Sequence, residues 1–139
     1  MSTKENKEQH RRILEEVYNK RNLAVVDELI APNYVINGPM GETKGPENYK
    51  QGATAFLTAF PDLHVTVDDM IAEGDKVSLR FTFTGTHKGE LSGIAPTGKK
   101  VAIKASLFAR FAGGKEVEAF EFFDTLAFYQ QLGITPPKG

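Results

Sequence analysis

Apolar residues recur with a helical period over the first part of the chain and with a strand period over the rest. Between about Lys4 and Lys20, Ile13, Leu14, Val17 and Tyr18 share one face of a predicted helix, and charged residues fill the others. Arg21-Asn22 breaks the pattern. A second, short helix runs through Leu23, Val26, Leu29 and Ile30, and Pro32 closes it. Tyr34-Val35-Ile36 reads as a short extended piece and Gly38 to Gly41 as a turn. A third helix opens at Gly45-Pro46, proline being suited to the first helical position. It carries the stripe Tyr49, Ala53, Phe56, Leu57 and Phe60, and Pro61-Asp62 ends it.

From that point the period is two. Val65, Val67 and Ile71 predict a strand, with Asp69 interrupting the alternation. Glu73-Gly74-Asp75 is a turn, after which Val77, Leu79, Phe81 and Phe83 alternate with Lys76, Ser78, Arg80 and Thr82. The glycine-rich segment from Lys88 to Lys100 reads as a long hairpin loop suited to a pocket rim. Val101 to Phe111 is a further strand. A turn at Ala112-Gly113-Gly114-Lys115 leads to the last strand, which ends at Asp124, where a short helical pattern begins. Helices followed by a meander predict a single α+β domain over residues 1–139. Three N-terminal helices cover one face of a curved antiparallel sheet, and a short C-terminal helix follows.

The strand from Val101 to Phe111 is apolar on both sides. Val101, Ile103, Ala105, Leu107 and Ala109 share one face, while Phe108 lies on the other with Ser106 and Arg110. Helices cover one face only, so a homodimer packed sheet against sheet is expected to cover the other.

Composition narrows the chemistry. A net charge of −1 and short basic clusters give no electrostatic pull toward nucleic acid or membrane. The polar first residues and the absence of a long apolar run predict a soluble cytoplasmic protein. Without cysteine there is no disulfide, thiolate metal site or cysteine nucleophile. His10, His64 and His87 lack ligand-like spacing, so no metal site is expected.

Asp124 is the candidate acid or base. It ends an aromatic strand with Phe120 and Phe122 on its own face. If that face lines an apolar cavity, burial raises the carboxyl's pKa toward neutrality. The rival reading is a helix N-cap, since Thr125-Leu126-Ala127 follows directly. His87 shares the parity of Phe81 and Phe83, so it is either an inward proton carrier or a histidine bonded to loop backbone. Tyr18 and Tyr34 are enolate donors or core residues with one wet end. Arg110 pairs with a ligand carboxylate, with Asp124, or with solvent.

The segments FPDLHVTVDDMIAEGDKV, GTHKGELSGIAPTGKKV and VEAFEFFDTLAFYQQLG, after three helices, resemble the SnoaL-like polyketide cyclase branch of the NTF2-like superfamily. The resemblance runs from the first helix to Gly133. It implies a cone: a strongly bent sheet wrapped around helices, with a pocket open at one end. It also implies cofactor-independent aldol ring closure, with an aspartate at the end of the last long strand as acid and base. Asp124 matches that position. Three departures stand out. Phe120 replaces the usual tryptophan, Asn37 a frequent histidine, and Ser106, Phe108 and Arg110 the polar pocket residues of the preceding strand.

The expected function is acid/base chemistry on a small apolar or carbonyl-containing molecule, by aldol-type cyclisation or isomerisation. Non-catalytic binding of an apolar metabolite and epoxide hydrolysis are the alternatives. Asp124 and His87 are the expected catalytic residues. Tyr18, Tyr34, Asn37, Phe56, Phe60, Phe81, Phe108, Arg110 and Phe120 are the expected pocket wall.

Overall fold

Ser2 opens the first helix with a reciprocal cap: its hydroxyl accepts from the Glu5 N–H, and the Glu5 carboxylate accepts from the Ser2 N–H. The computed structural model describes residues 2–39 and 41–136, so Met40 of the predicted turn lies outside the described residues. Helix α1 (Thr3–Ile13) continues into a π-helical stretch, Leu14–Asn19. Together they match the helix expected from the apolar spacing. The wider π turn changes the rotation per residue and sets the direction in which Tyr18 leaves the helix. Helix α2 (Val26–Leu29) is a single turn preceded by a 3₁₀ turn at Leu23–Val25.

Strand β1 (Ile30–Gly38) starts two residues before Pro32, so Pro32 does not mark the helix end as expected. Its register against the last strand shifts between Ile30 and Val35. Pro32 falls in that irregular stretch, where no ladder bond needs the N–H it lacks. Strand β2 (Gly41–Lys44), which the sequence pattern did not predict, forms a hairpin with β1. Helix α3 (Gly45–Ala59) has Pro46 in its first turn. Then come β3 (His64–Glu73), β4 (Lys76–Thr86), β5 (Lys100–Ala112) and β6 (Lys115–Phe123), and helix α4 (Thr125–Leu132) closes the chain. The six strands form one sheet in the order β2-β1-β6-β5-β4-β3. β3 to β6 are the expected antiparallel meander, and β1 joins parallel to β6.

Two bulges shape this sheet. Opposite β4, the β3 register slips between Val67 and Asp69, which is why Asp69 broke the alternation. On β6, Glu116 faces Phe111 and Glu118 faces Arg110, so Val117 is an extra residue. A single inserted residue exchanges the two faces of everything beyond it.

The inner sheet face and the helices share one core. Ile13, Val17, Leu29, Phe60, Val77, Ile103 and Ala109 are all essentially inaccessible to solvent. Burying a side chain such as Ile or Phe contributes about 1.5–3 kcal/mol. Gly89 lies against α3, where a Cβ would sit 2.5 Å from the Thr58 carbonyl, so only glycine lets the β4–β5 loop dock there. Among the described residues, no helix is long and apolar enough to cross a membrane.

Candidate functional site

Between α3, β1, β6, α4 and the β4–β5 loop lies a cavity of about 580 Å³, mostly apolar in its walls. Ile36, Phe56, Phe123 and Phe128 supply apolar wall, and Leu91 and Ile94 place the β4–β5 loop at its rim. A smaller chamber of about 70 Å³ shares Tyr18, Ile36, Tyr49, Phe56, Glu121 and Phe123 with it and reaches inward to His10, Tyr34 and Glu116. The larger space falls within the usual range of ligand pockets.

Glu121 is the carboxylate of the larger cavity, and it also lines the inner chamber. Its side chain is partly accessible because it opens onto the cavity, yet protein surrounds the carboxyl on its other sides. Desolvation pushes its pKa up to about 7. When protonated, His10 pulls the other way, and the negative charge of Glu116 adds to the rise.

Three tyrosines stand near it. The Tyr18 hydroxyl donates to the Tyr49 hydroxyl at 3.0 Å. Tyr49 lines both spaces, and its hydroxyl makes no other hydrogen bond among the described residues. Tyr34 meets Tyr49 edge-on and donates to Glu116 Oε2 at 2.8 Å. Burial, first of all, holds all three phenols above their ordinary range, so they remain O–H donors near neutral pH. The other Glu116 oxygen lies 2.6 Å from His10 Nδ1, and both of these side chains are fully buried.

The structure divides the residues expected at the site. Tyr18, Tyr34, Phe56 and Phe81 line the cavity or its inner chamber. Asp124 does not. It is exposed and caps α4, its carboxylate accepting from the Ala127 N–H at 3.0 Å. Phe120 and Phe108 stand on the outer sheet face, where they are paired across β5 and β6. Arg110 shares that face and pairs with Glu118 at 3.4 Å rather than with Asp124. Asn37 pairs with Phe120 in the parallel register and lines neither space. Phe60 is core, stacked on His87 and Phe56. His87 is wholly buried and pins the loop: its Nδ1 accepts from the Thr97 N–H at 3.2 Å.

The common cause lies in β6. Taking Phe120 and Phe122 as the inner face assigned Asp124 to the cavity. The inner set is instead Ala119, Glu121 and Phe123. Glu121, Tyr49, His10 and Glu116 were missed. Tyr49 lay in the α3 stripe and His10 three residues before Ile13, so helical spacing held a signal for both. No local signal placed Glu116 beside Glu121, because the Val117 bulge brings residues of opposite parity to one face. Among the described residues, no cluster of three His, Cys, Asp or Glu is placed to hold a metal ion.

Comparison with known proteins adds a lineage to this geometry. Residues 8–132 match the family model of SnoaL-like polyketide cyclase. The chain is 28% identical over 122 residues to the aklanonic acid methyl ester cyclase DnrD of Streptomyces peucetius, covering 85% of this chain and 84% of that protein. AclR, a proposed hydroxylase from Streptomyces galilaeus, superposes with a TM-score of 0.85 at 30% identity, covering 97% of this chain and 100% of the other. TsrD from Streptomyces laurentii shares the fold, with a TM-score of 0.88 at 24% identity over 97% and 99% of the two chains.

Proposed function

This chain belongs to the SnoaL-like polyketide cyclase family, and on that premise we propose that it closes a ring in a carbonyl compound by acid/base catalysis at Glu121. The observation that carries the reading is a single carboxyl with a pKa of about 7 in a mostly apolar cavity lined by neutral tyrosine donors. The Glu121 carboxylate takes a proton from the carbon beside a carbonyl. Tyr49, backed by Tyr18, donates to the enolate oxygen as charge develops there. The enolate carbon attacks a second carbonyl of the same molecule, and the new alkoxide recovers the proton from Glu121. A base matched to the working pH contributes about 10²–10⁴-fold. The epoxide alternative has no support in the cavity, since Arg110 pairs with Glu118 on the outer sheet face.

Aklanonic acid methyl ester, the compound in the name of the relative DnrD, is the first substrate to try. Chromatography should show a cyclised product. Its kcat/KM should rise with pH and level off above about 7. Glu121→Gln should lower kcat about 10²–10⁴-fold, while Asp124→Asn stays within a few-fold of the parent. A ligand that binds and returns chemically unaltered from both proteins would instead support the non-catalytic binding module. Full activity in Glu121→Gln would remove Glu121 from the mechanism.

The outer sheet face supports a second proposal, a homodimer. Ile71, Phe108, Phe120 and Phe122 are all exposed there, an apolar surface without an internal partner. A second copy would cover it symmetrically. Sedimentation of Phe108→Glu/Phe120→Glu should then report a monomer where the parent is a dimer, and a monomeric parent would end the proposal.

A further inference from the structure

The inner chamber holds a polar group that ring closure at Glu121 does not use. His10 comes from α1 and is 1% exposed. Its Nδ1 lies 2.6 Å from Glu116 Oε1, and Glu116 Oε2 accepts from Tyr34. A carboxylate only accepts, so the ring donates through Nδ1–H. In the neutral ring this leaves Nε2 as a lone-pair acceptor. Nε2 is buried and has no partner among the described residues, although His10 lines the chamber. A buried acceptor left unpaired is costly, whereas one that meets a donor recovers the loss. Phe111 stands edge-on to the ring, 6.5 Å between centroids, and Glu116 holds its other side, so the ring is not free to turn toward another partner.

We propose that His10 is a specificity-determining residue of the cavity: its Nε2 accepts a hydrogen bond from a phenolic or enolic hydroxyl at the inner end of the ligand. Glu116 and Tyr34 are positioning residues that hold the ring in the accepting tautomer. The inference rests on the reading of the cavity as a ligand site and deepens it by naming a hydroxyl-bearing ligand class. The chamber has room for such a group but not for a second ring. A site built to pair with a hydroxyl discriminates against an analogue that lacks it, because the buried partner is then stranded.

Two aromatic probes of similar shape test this: 2-naphthol, which has the O–H, and 2-methoxynaphthalene, which does not. Titration followed by ¹⁵N-resolved imidazole spectra should show His10 alone moving with 2-naphthol, while His64 and His87 stay in place. The free protein should already show His10 as the Nδ1–H tautomer, and Glu116→Gln should disturb that tautomer. The parent protein should prefer 2-naphthol over the ether about tenfold more than His10→Leu does, and His10→Gln, whose amide oxygen also accepts, should restore part of the preference. A His10 signal that ignores bound 2-naphthol, or a preference unchanged in His10→Leu, overturns this inference and leaves Glu121 untouched. If neither probe perturbs Tyr49 or Phe56, the cavity is not a ligand site and both readings fall.

Discussion

Neighbouring residues of β6 live in different media. Ala119, Glu121 and Phe123 turn toward the helices and the cavity, whereas Phe120 and Phe122 turn outward, with Phe122 65% exposed. Similar side chains therefore do different work on the two faces. Phe123 packs edge-on against Phe83 and Phe128, while Phe120 has Phe108 across the strand as an open neighbour. The two carboxylates differ in the same way. Asp124 is exposed, lies outside the cavity and spends one oxygen on a helix cap. Glu121, three residues earlier, loses much of its hydration to the cavity wall and is pushed up to about 7. Which face a carboxylate occupies matters more than how many aromatic residues stand beside it in the chain.

The most severe way to break this contrast is to insert one alanine between Ala119 and Phe120, in the regular ladder beyond the bulge. Everything from Phe120 to Phe123 would then have to exchange faces. That would drive Phe120 and Phe122 to the core side and carry Glu121 out of the cavity. The insertion should cost most of the roughly 5–15 kcal/mol that stabilises a domain of this kind. Circular dichroism should then show a lost or non-cooperative thermal transition. Deleting Val117 instead leaves Glu118 opposite Arg110 and Ala119 opposite Ala109, so that variant should still melt cooperatively, and an insertion variant that melts like the parent would refute the fixed register of β6.

Glu121→Gln sharpens the comparison through pH. A carboxyl whose pKa is raised in the folded state binds its proton more tightly there than in the unfolded chain. Its contribution to stability is therefore intact below about 4.5 and is lost as pH rises through about 7. Glutamine resembles the protonated form at every pH. The variant should gain about 3 kcal/mol over the parent at pH 8 and less than about 1 kcal/mol at pH 5, as read from urea unfolding at the two values. An equal difference at both would show that the carboxyl is as well solvated as Asp124.

Asp124→Ala tests the outer carboxylate for what it is. Loss of an N-cap costs about 1 kcal/mol, so a lower melting temperature with unchanged turnover is expected. Loss of turnover without loss of stability would return the catalytic role to Asp124. The smallest effect belongs to Phe122→Thr: in the dissociated protomer this exposed, β-compatible replacement should change stability by less than about 0.5 kcal/mol. At concentrations where the proposed dimer forms, a larger loss that grows with protein concentration is expected, and its absence would count against a second copy on this face.

Much of the architecture was legible in the residue order. The 3.6-residue stripes of α1 and α3, the alternation of β4 and β5, and the turns at Gly74 and Gly113 act within a few residues, so local pattern records them. The interruption at Asp69 falls where the β3 register slips, although the alternation alone did not say what interrupts it. Resemblance along the chain gave the cone and the family. The membership of the cavity lay beyond local pattern. It depends on which face of β6 turns inward, and the Val117 bulge sets that only against the fixed register of β5. It depends too on α1 carrying His10 across to Glu116, 106 residues further along the chain. Periodicity reports that a strand has two faces but is symmetric between them. Packing against the helices breaks the symmetry, and with it decides which carboxylate loses its water.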